Sequence, residues 1–277
     1  MTRSGSVGLL LVLVVPIAAC SSSVPAAAGP SASGGAATSA PEPVGAGPEQ
    51  LIPAPATRPA QPPMPARYAT PLVADHCVDR DLAAPSVADP VGAVLDRSYA
   101  LAPSDVPPDL VEASAAGLDG ASGTRLVREV VIADLSAMRA AWQAAGLTIF
   151  VESAYRSYED QAATFDSWAA SIGQEAALLR AARPGHSEHQ LGTAIDVTSP
   201  GWSGRFGDWA VEAAEGAWMA AHAWEYGFVM SYPAGGQEDS CYGYEPWHYR
   251  WIGREAAAEQ RRSGLVLRRF LERFLAS

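Results

Sequence analysis

Any fold of this chain has to account for two stretches that lie about fifty residues apart. The first is Ser187-Glu188-His189-Gln190-Leu191-Gly192-Thr193-Ala194-Ile195-Asp196, and the second is Glu245-Pro246-Trp247-His248. Together they offer two imidazoles and one carboxylate (His189, His248 and Asp196), with the Glu245 carboxylate to spare. Three protein ligands, with a fourth position left for water, make up a catalytic zinc site. The chain has 5 His, and three of them (His186, His189 and His248) fall in or beside these stretches. A lone His is more often a packed or surface residue, and a lone Asp is usually solvated. The spacing is not a standard zinc pattern, so the residues alone leave both readings open.

The local pattern says how such ligands would be presented. The alternation over 193–198 predicts a strand carrying Asp196. His189 then sits in a loop ahead of it, with a turn at Gly192. Pro246 argues against a helix over 245–248. Residues at odd separation on an extended segment point to opposite faces, so a bend at the proline is needed to bring Glu245 beside His248.

Three motifs, in this order, resemble those of the VanY-type D-alanyl-D-alanine carboxypeptidases. They are Ser153-Ala154-Tyr155-Arg156-Ser157-Tyr158-Glu159-Asp160-Gln161, Pro184-Gly185-His186-Ser187-Glu188-His189-Gln190-Leu191-Gly192-Thr193-Ala194-Ile195-Asp196, and Glu245-Pro246-Trp247-His248-Tyr249-Arg250. The resemblance runs from about Val94 to the C-terminus. It implies that His189, Asp196 and His248 bind Zn2+ and that Glu245 is the catalytic base. It also implies that Arg156 binds the substrate, with Gln161 and Ser187 helping to hold it. A guanidinium is a planar, permanently charged fork suited to a terminal carboxylate. The implied fold is α+β and like the Hedgehog-type D,D-peptidases, a small antiparallel sheet flanked by helices. The implied activity is removal of the C-terminal D-Ala from peptidoglycan stem peptides. An L,D-carboxypeptidase acting on tetrapeptide stems is the alternative within the superfamily. A non-catalytic, zinc-stabilised wall-binding module is a rival from another class, and Glu245 speaks against it because a binder needs no base. A cross-bridge endopeptidase is a third, and Arg156 speaks against it because an internal bond offers no terminal carboxylate. His186 is not among the implied ligands and is read as structural or as a support to them.

The chain has 277 residues, 48% of them hydrophobic, which is ample for one globular domain with a core. The net charge is −11, and a nucleic-acid partner would call for a basic face instead. Arg3 followed by the apolar run Gly8 to Val15 reads as an export signal, too short to span a bilayer permanently. It ends in Ile17-Ala18-Ala19-Cys20, which resembles a bacterial lipobox with Cys20 lipidated. The alternative is an ordinary secretory signal cleaved near Ala19. Residues 21–66 are rich in Ser, Ala, Gly and Pro and nearly uncharged, as in a disordered tether or spacer. The enzyme domain is then 67–277, lipid-anchored at the cell envelope and expected to be a monomer. Cys77 and Cys241 remain, and in an exported protein they are expected to pair. Zinc ligation is the rival use, though they lack CxxC spacing.

Helices are expected over 126–145, from an N-cap at Ser157 to about Ala170, over 174–182 and over 208–226. Strands are expected over 147–153, 228–232 and 247–251. Residues 94–110 read as irregular, and the Gly-rich loop 233–244 as a shaper of the cleft. The tail 264–276 is amphipathic, with Leu267, Phe270 and Leu271 on one side and Arg268, Arg269 and Arg273 on the other. It either packs on the domain or lies on a membrane surface.

Overall fold

The computed structural model describes residues 77–84, 89, 91–118, 125–203 and 206–276, all within the unit Pro53–Ser277. The expected signal 1–20 with Cys20, and the expected tether 21–66, lie outside the described residues. No helix among the described residues is long and apolar enough to cross a membrane.

Strands β1 (Leu82–Ala83) and β2 (Tyr99–Ala100) pair in parallel, and β3 (Leu110–Glu112) and β4 (Leu126–Arg128) pair antiparallel. Next come α1 (Ile132–Ala144), β5 (Phe150–Ser153), α2 (Tyr158–Ile172), α3 (Gln174–Ala177) and β6 (Ala194–Thr198). Then follow α4 (Trp209–Glu212), α5 (Ala214–His222), β7 (Phe228–Met230), α6 (Gln237–Ser240), β8 (His248–Trp251), α7 (Arg254–Ser263) and α8 (Leu267–Ala276). The main sheet has the order β5-β6-β8-β7 and is antiparallel throughout. This is the α+β arrangement expected, a small antiparallel sheet with helices around it.

The strand period of two divides the sheet into a core face and a site face. Ile195 and Val197 of β6, and Tyr249 and Trp251 of β8, join Leu135, Met138 and Trp142 of α1 in one buried cluster. Asp196 and His248 alternate with these residues and lie opposite one another across the strand pair.

Helix α1 starts at Ile132, later than the expected 126, because Leu126–Arg128 is a strand paired with β3. The apolar residues before Ile132 thus serve a strand and a 3-10 turn, which periodicity alone reads as helix. At the other end Leu147 N–H donates to the Trp142 carbonyl and Gly146 (φ 75°) to that of Gln143. That left-handed Gly cap closes the helix. Ser157 caps α2 as expected, its hydroxyl accepting from the Asp160 N–H.

The expected helix 174–182 stops at Ala177, and the expected helix 208–226 is broken at Ala213, whose backbone is extended (ψ 134°). The two pieces, α4 and α5, pack closely at Gly216, where a Cβ would meet the Trp209 carbonyl oxygen. Strand β5 begins at Phe150, β7 ends at Met230 and β8 begins at His248.

The tail packs on its own domain, burying Leu267, Phe270 and Leu271. Arg268, expected on the solvent side, is buried with them because it pairs at 2.8 Å with the buried Asp96. Cys77 and Cys241 form the expected disulfide, joining the N-terminal segment to the loop that leads to Glu245.

Candidate active site

Strand register assembles the centre of the site. Asp196 on β6 is the direct cross-strand partner of His248 on β8, and Ser153 at the end of β5 pairs with Asp196 from the other side. Directly opposed residues have Cβ atoms about 5 Å apart, so this register alone places a carboxylate against an imidazole. His189 comes from the 3-10 turn Glu188–Leu191, which Ser187 caps. Gly192 (φ 72°) then reverses the chain into β6, with Leu110 and Arg128 packed where a Cβ would stand.

His189, Asp196 and His248 each present a ligand atom within 4.8 Å of the others. His189 Nε2 lies 3.1 Å from Asp196 Oδ2, and His248 Nδ1 lies 3.0 Å from Asp196 Oδ1. His189 Nδ1 is 2.6 Å from the Ala154 carbonyl, which can only accept. Nδ1 therefore carries the proton and Nε2 keeps a lone pair facing the carboxylate. Two nitrogens and a carboxylate, converging and mostly buried, suit a zinc ion.

The charges in this cluster follow from burial set against neighbours. Burial favours the neutral acid at Asp196, but His189 and His248 outweigh it and hold the carboxyl well below the usual range. Burial lowers His189, against the pull of Asp196. Burial would lower His248 too, but its bonds to Asp196 and Glu188 raise it to about 10. Glu245 moves the other way from Asp196. Burial pushes it up to about 8, the Asp196 and Glu188 carboxylates adding to the shift and His248 and Arg156 opposing it.

The expected bend at Pro246 is present: the His248 N–H donates to the Glu245 carbonyl at 3.2 Å, closing a turn over Pro246 and Trp247. It brings Glu245 into the cleft that holds His189, Asp196 and His248. The cleft has a volume of about 190 Å³ and is also lined by Arg156, Gln161 and Ser187. Arg156 follows β5 and donates to Gln161 Oε1 (2.9 Å) and Ser153 Oγ (2.8 Å). A third contact sets it 3.7 Å from Asp196 Oδ2. The Gln161 amide nitrogen donates to the Ala182 carbonyl at 2.7 Å, so both ends of that amide have protein partners. His186 stands apart from the His189-Asp196-His248 cluster, bonded to the Asp96 carbonyl (2.6 Å) and to Asp81 (3.1 Å). His222 is on the surface, bonded to Glu225.

Sequence reasoning gave no role to several residues of the site. Tyr232, Tyr242 and Trp247 line the cleft, and the Tyr232 ring lies 4.9 Å from that of His248. Glu188, adjacent to His189 in sequence, is buried and lies 3.0 Å from His248 Nε2. Its place beside His189 in the motif was the available signal, but its partners come from Ser231, just past β7, and from β8, and depend on the fold.

The profile of the VanY family, described as D-alanyl-D-alanine carboxypeptidase, matches residues 124–254. A putative carboxypeptidase of Bacillus subtilis (strain 168), YodJ, is 31% identical over 182 residues, covering 65% of this chain and 67% of the relative. A D-alanyl-D-alanine carboxypeptidase of Enterococcus faecium is 31% identical over 122 residues, covering 44% of this chain and 36% of the relative. The chain therefore spans well under half of the enterococcal enzyme. Among solved structures, the LdcB LD-carboxypeptidase aligns with TM-score 0.58 and 31% identity, over 65% of this chain and 84% of its own. VanYB in complex with D-alanine-D-alanine gives TM-score 0.56 and 25% identity, over 65% and 97%. A VanY D,D-pentapeptidase in complex with Zn(II) gives 0.54 and 27%, over 65% and 98%.

Proposed function

Because this chain belongs to the VanY family of D-alanyl-D-alanine carboxypeptidases, we propose that it is a zinc-dependent carboxypeptidase that removes the C-terminal D-Ala from peptidoglycan stem peptides ending in D-Ala-D-Ala. The observation that carries the reading is one cleft holding a convergent His-Asp-His group, a spare carboxylate and a guanidinium. In this reading His189, Asp196 and His248 hold the zinc. When bound there, zinc supplies Lewis-acid activation of a water molecule and of the scissile carbonyl. Glu245 takes the proton of the attacking water and returns it to the departing amine of D-Ala. Burial raises the Glu245 carboxyl above the ordinary carboxylate range, toward the neutral pH at which a general base works best. Arg156 receives the terminal carboxylate, and its anchorage by Gln161 and Ser153 orients the guanidinium before substrate arrives. Gln161 acts through Arg156, while Ser187 lines the cleft and caps the turn that presents His189.

The likeness to an LD-carboxypeptidase supports a second reading, in which the substrate is a tetrapeptide stem. The test is to incubate zinc-loaded protein with soluble pentapeptide and tetrapeptide stems and follow D-Ala release by mass spectrometry. Release from the pentapeptide alone is expected. Release from the tetrapeptide alone moves the assignment to L,D cleavage, and release from neither refutes both.

The N-terminal sequence supports a place for the enzyme. Residues 1–20 direct export, Cys20 is lipidated, and 21–66 tether the domain 67–277 to the membrane within reach of the wall. Metabolic labelling with a clickable fatty acid is expected to mark the wild type. Equal labelling of Cys20→Ala would refute the anchor.

A further inference from the structure

Glu188 is a buried acid that the proposed reaction leaves unused. Its Oε2 accepts from Ser231 Oγ at 2.6 Å and lies 3.0 Å from His248 Nε2, and its Oε1 accepts from Arg250 at 2.9 Å. Alternation along β8 explains the geometry: His248 and Arg250 are two residues apart and share one face, so a single carboxylate spans both. Arg250 is fully buried, and its other terminal nitrogen donates to the carbonyls of Val91 (3.1 Å) and Ala93 (2.6 Å). The guanidinium is thereby fixed from two sides.

We propose that Glu188 is the positioning residue for His248, fixing its tautomer and ring orientation so that Nδ1 faces the metal. A carboxylate held between a guanidinium and a hydroxyl only accepts, so the proton on the imidazole is kept at Nε2. Nδ1, the atom turned toward Asp196 at 3.0 Å, is then the nitrogen left to offer its lone pair when a metal takes the place of the proton shared with that carboxylate. A hydrogen-bond partner on the far nitrogen of a ligating His sets its orientation and basicity, and losing one typically weakens metal binding about 10–100-fold. Ser231 and Arg250 act one step further out, holding the carboxylate. The bland reading is an ion pair that only ties residues 91–93 to the sheet. That reading gives no reason for the contact with His248.

The inference rests on the metal reading, and the experiment separates the two. Zinc affinity is measured on the full chain by competition with a chromophoric chelator, and ligand geometry by the absorption spectrum of the cobalt(II)-loaded protein. Glu188→Gln is expected to weaken zinc about 10–100-fold and to shift the cobalt bands. Ser231→Ala removes one hydrogen bond but keeps the Arg250 pair, and is expected to weaken zinc roughly three- to tenfold. It decides the matter should Glu188→Gln fail to fold around an unpaired Arg250. Arg268→Met breaks a different buried pair, with Asp96, far from any ligand in sequence, and is expected to lower the melting temperature with zinc affinity unchanged. Zinc affinity within twofold of wild type in the folded variants, with unchanged cobalt spectra, overturns the positioning role alone. A wild type that takes up no zinc overturns the metal reading, and this inference falls with it.

Discussion

Replacing both half-cystines, as Cys77→Ser/Cys241→Ser, tests how the N-terminal segment is held to the cleft. The bridge joins residues 164 apart in sequence, so it removes a large loop from the unfolded chain. The loop-entropy relation gives about 5 kcal/mol for a loop of that size, and removal of native disulfides typically costs about 2–5 kcal/mol. For a domain of about 200 residues each kcal/mol moves the melting temperature by about 2–4 °C, so the variant is expected to melt roughly 5–20 °C lower. The N-terminal segment also has non-covalent ties: Arg97 bonds Asp79 at 2.8 and 2.7 Å, and Arg183 bonds Asp81 at 2.7 Å. These are partly exposed and replace little of the covalent constraint. Zinc affinity should change little, because the three proposed ligands, Asp196, His248 and His189, sit on β6, β8 and the turn before β6. Differential scanning calorimetry of the zinc-loaded protein without reductant is the assay. A melting temperature within about 2 °C of wild type would refute the argument, showing that the unfolded chain gains no freedom when the bridge is lost.

Four further expectations concern the site. Glu245→Gln keeps zinc but lowers D-Ala release about 100- to 10,000-fold, the usual contribution of a positioned base; near-wild-type turnover with zinc bound would exclude Glu245 from that role. Arg156→Ala lowers kcat/KM about 100-fold by removing charge-assisted bonds to the substrate carboxylate, and an unchanged kcat/KM would count against it. Dialysis against a chelator abolishes turnover and lowers the melting temperature, and added zinc restores both; full activity in protein shown to be metal-free by elemental analysis would refute zinc dependence. Gly192→Ala destabilises by about 1–3 kcal/mol in urea melts, since φ is 72° there and the new methyl would press on Leu110 and Arg128; no loss would show that the turn relaxes freely.

Local sequence settled much of what presents the site residues. Alternation over 193–198 marks a strand, Ser157 and Asp160 mark a helix start, and Pro246 marks a bend; each depends on residues a few positions apart. The motif order was equally legible, because it resides in residue identity. Where reading failed, the competing influence was tertiary. Leu126 and Val127 fit a helix by period but are taken into a strand by β3, and the apolar run 208–226 breaks because α4 and α5 pack on each other at Gly216. Arg268 looks like a solvent residue until Asp96, 172 positions away, appears beside it.

The sequence by itself determined which groups this protein owns: two imidazoles, two carboxylates and an arginine in a recognisable order, and a pair of cysteines to close the domain. Only the tertiary structure decided which atoms of those groups face one another. The β6–β8 register sets Asp196 against His248, and the Ala154 carbonyl frees one nitrogen of His189. Glu188 finds its partners at Ser231, just past β7, and on β8, all more than forty residues downstream. The physical reason is that hydrogen-bond direction and burial belong to pairs of groups. A pair distant in sequence acquires them only when the sheet has formed.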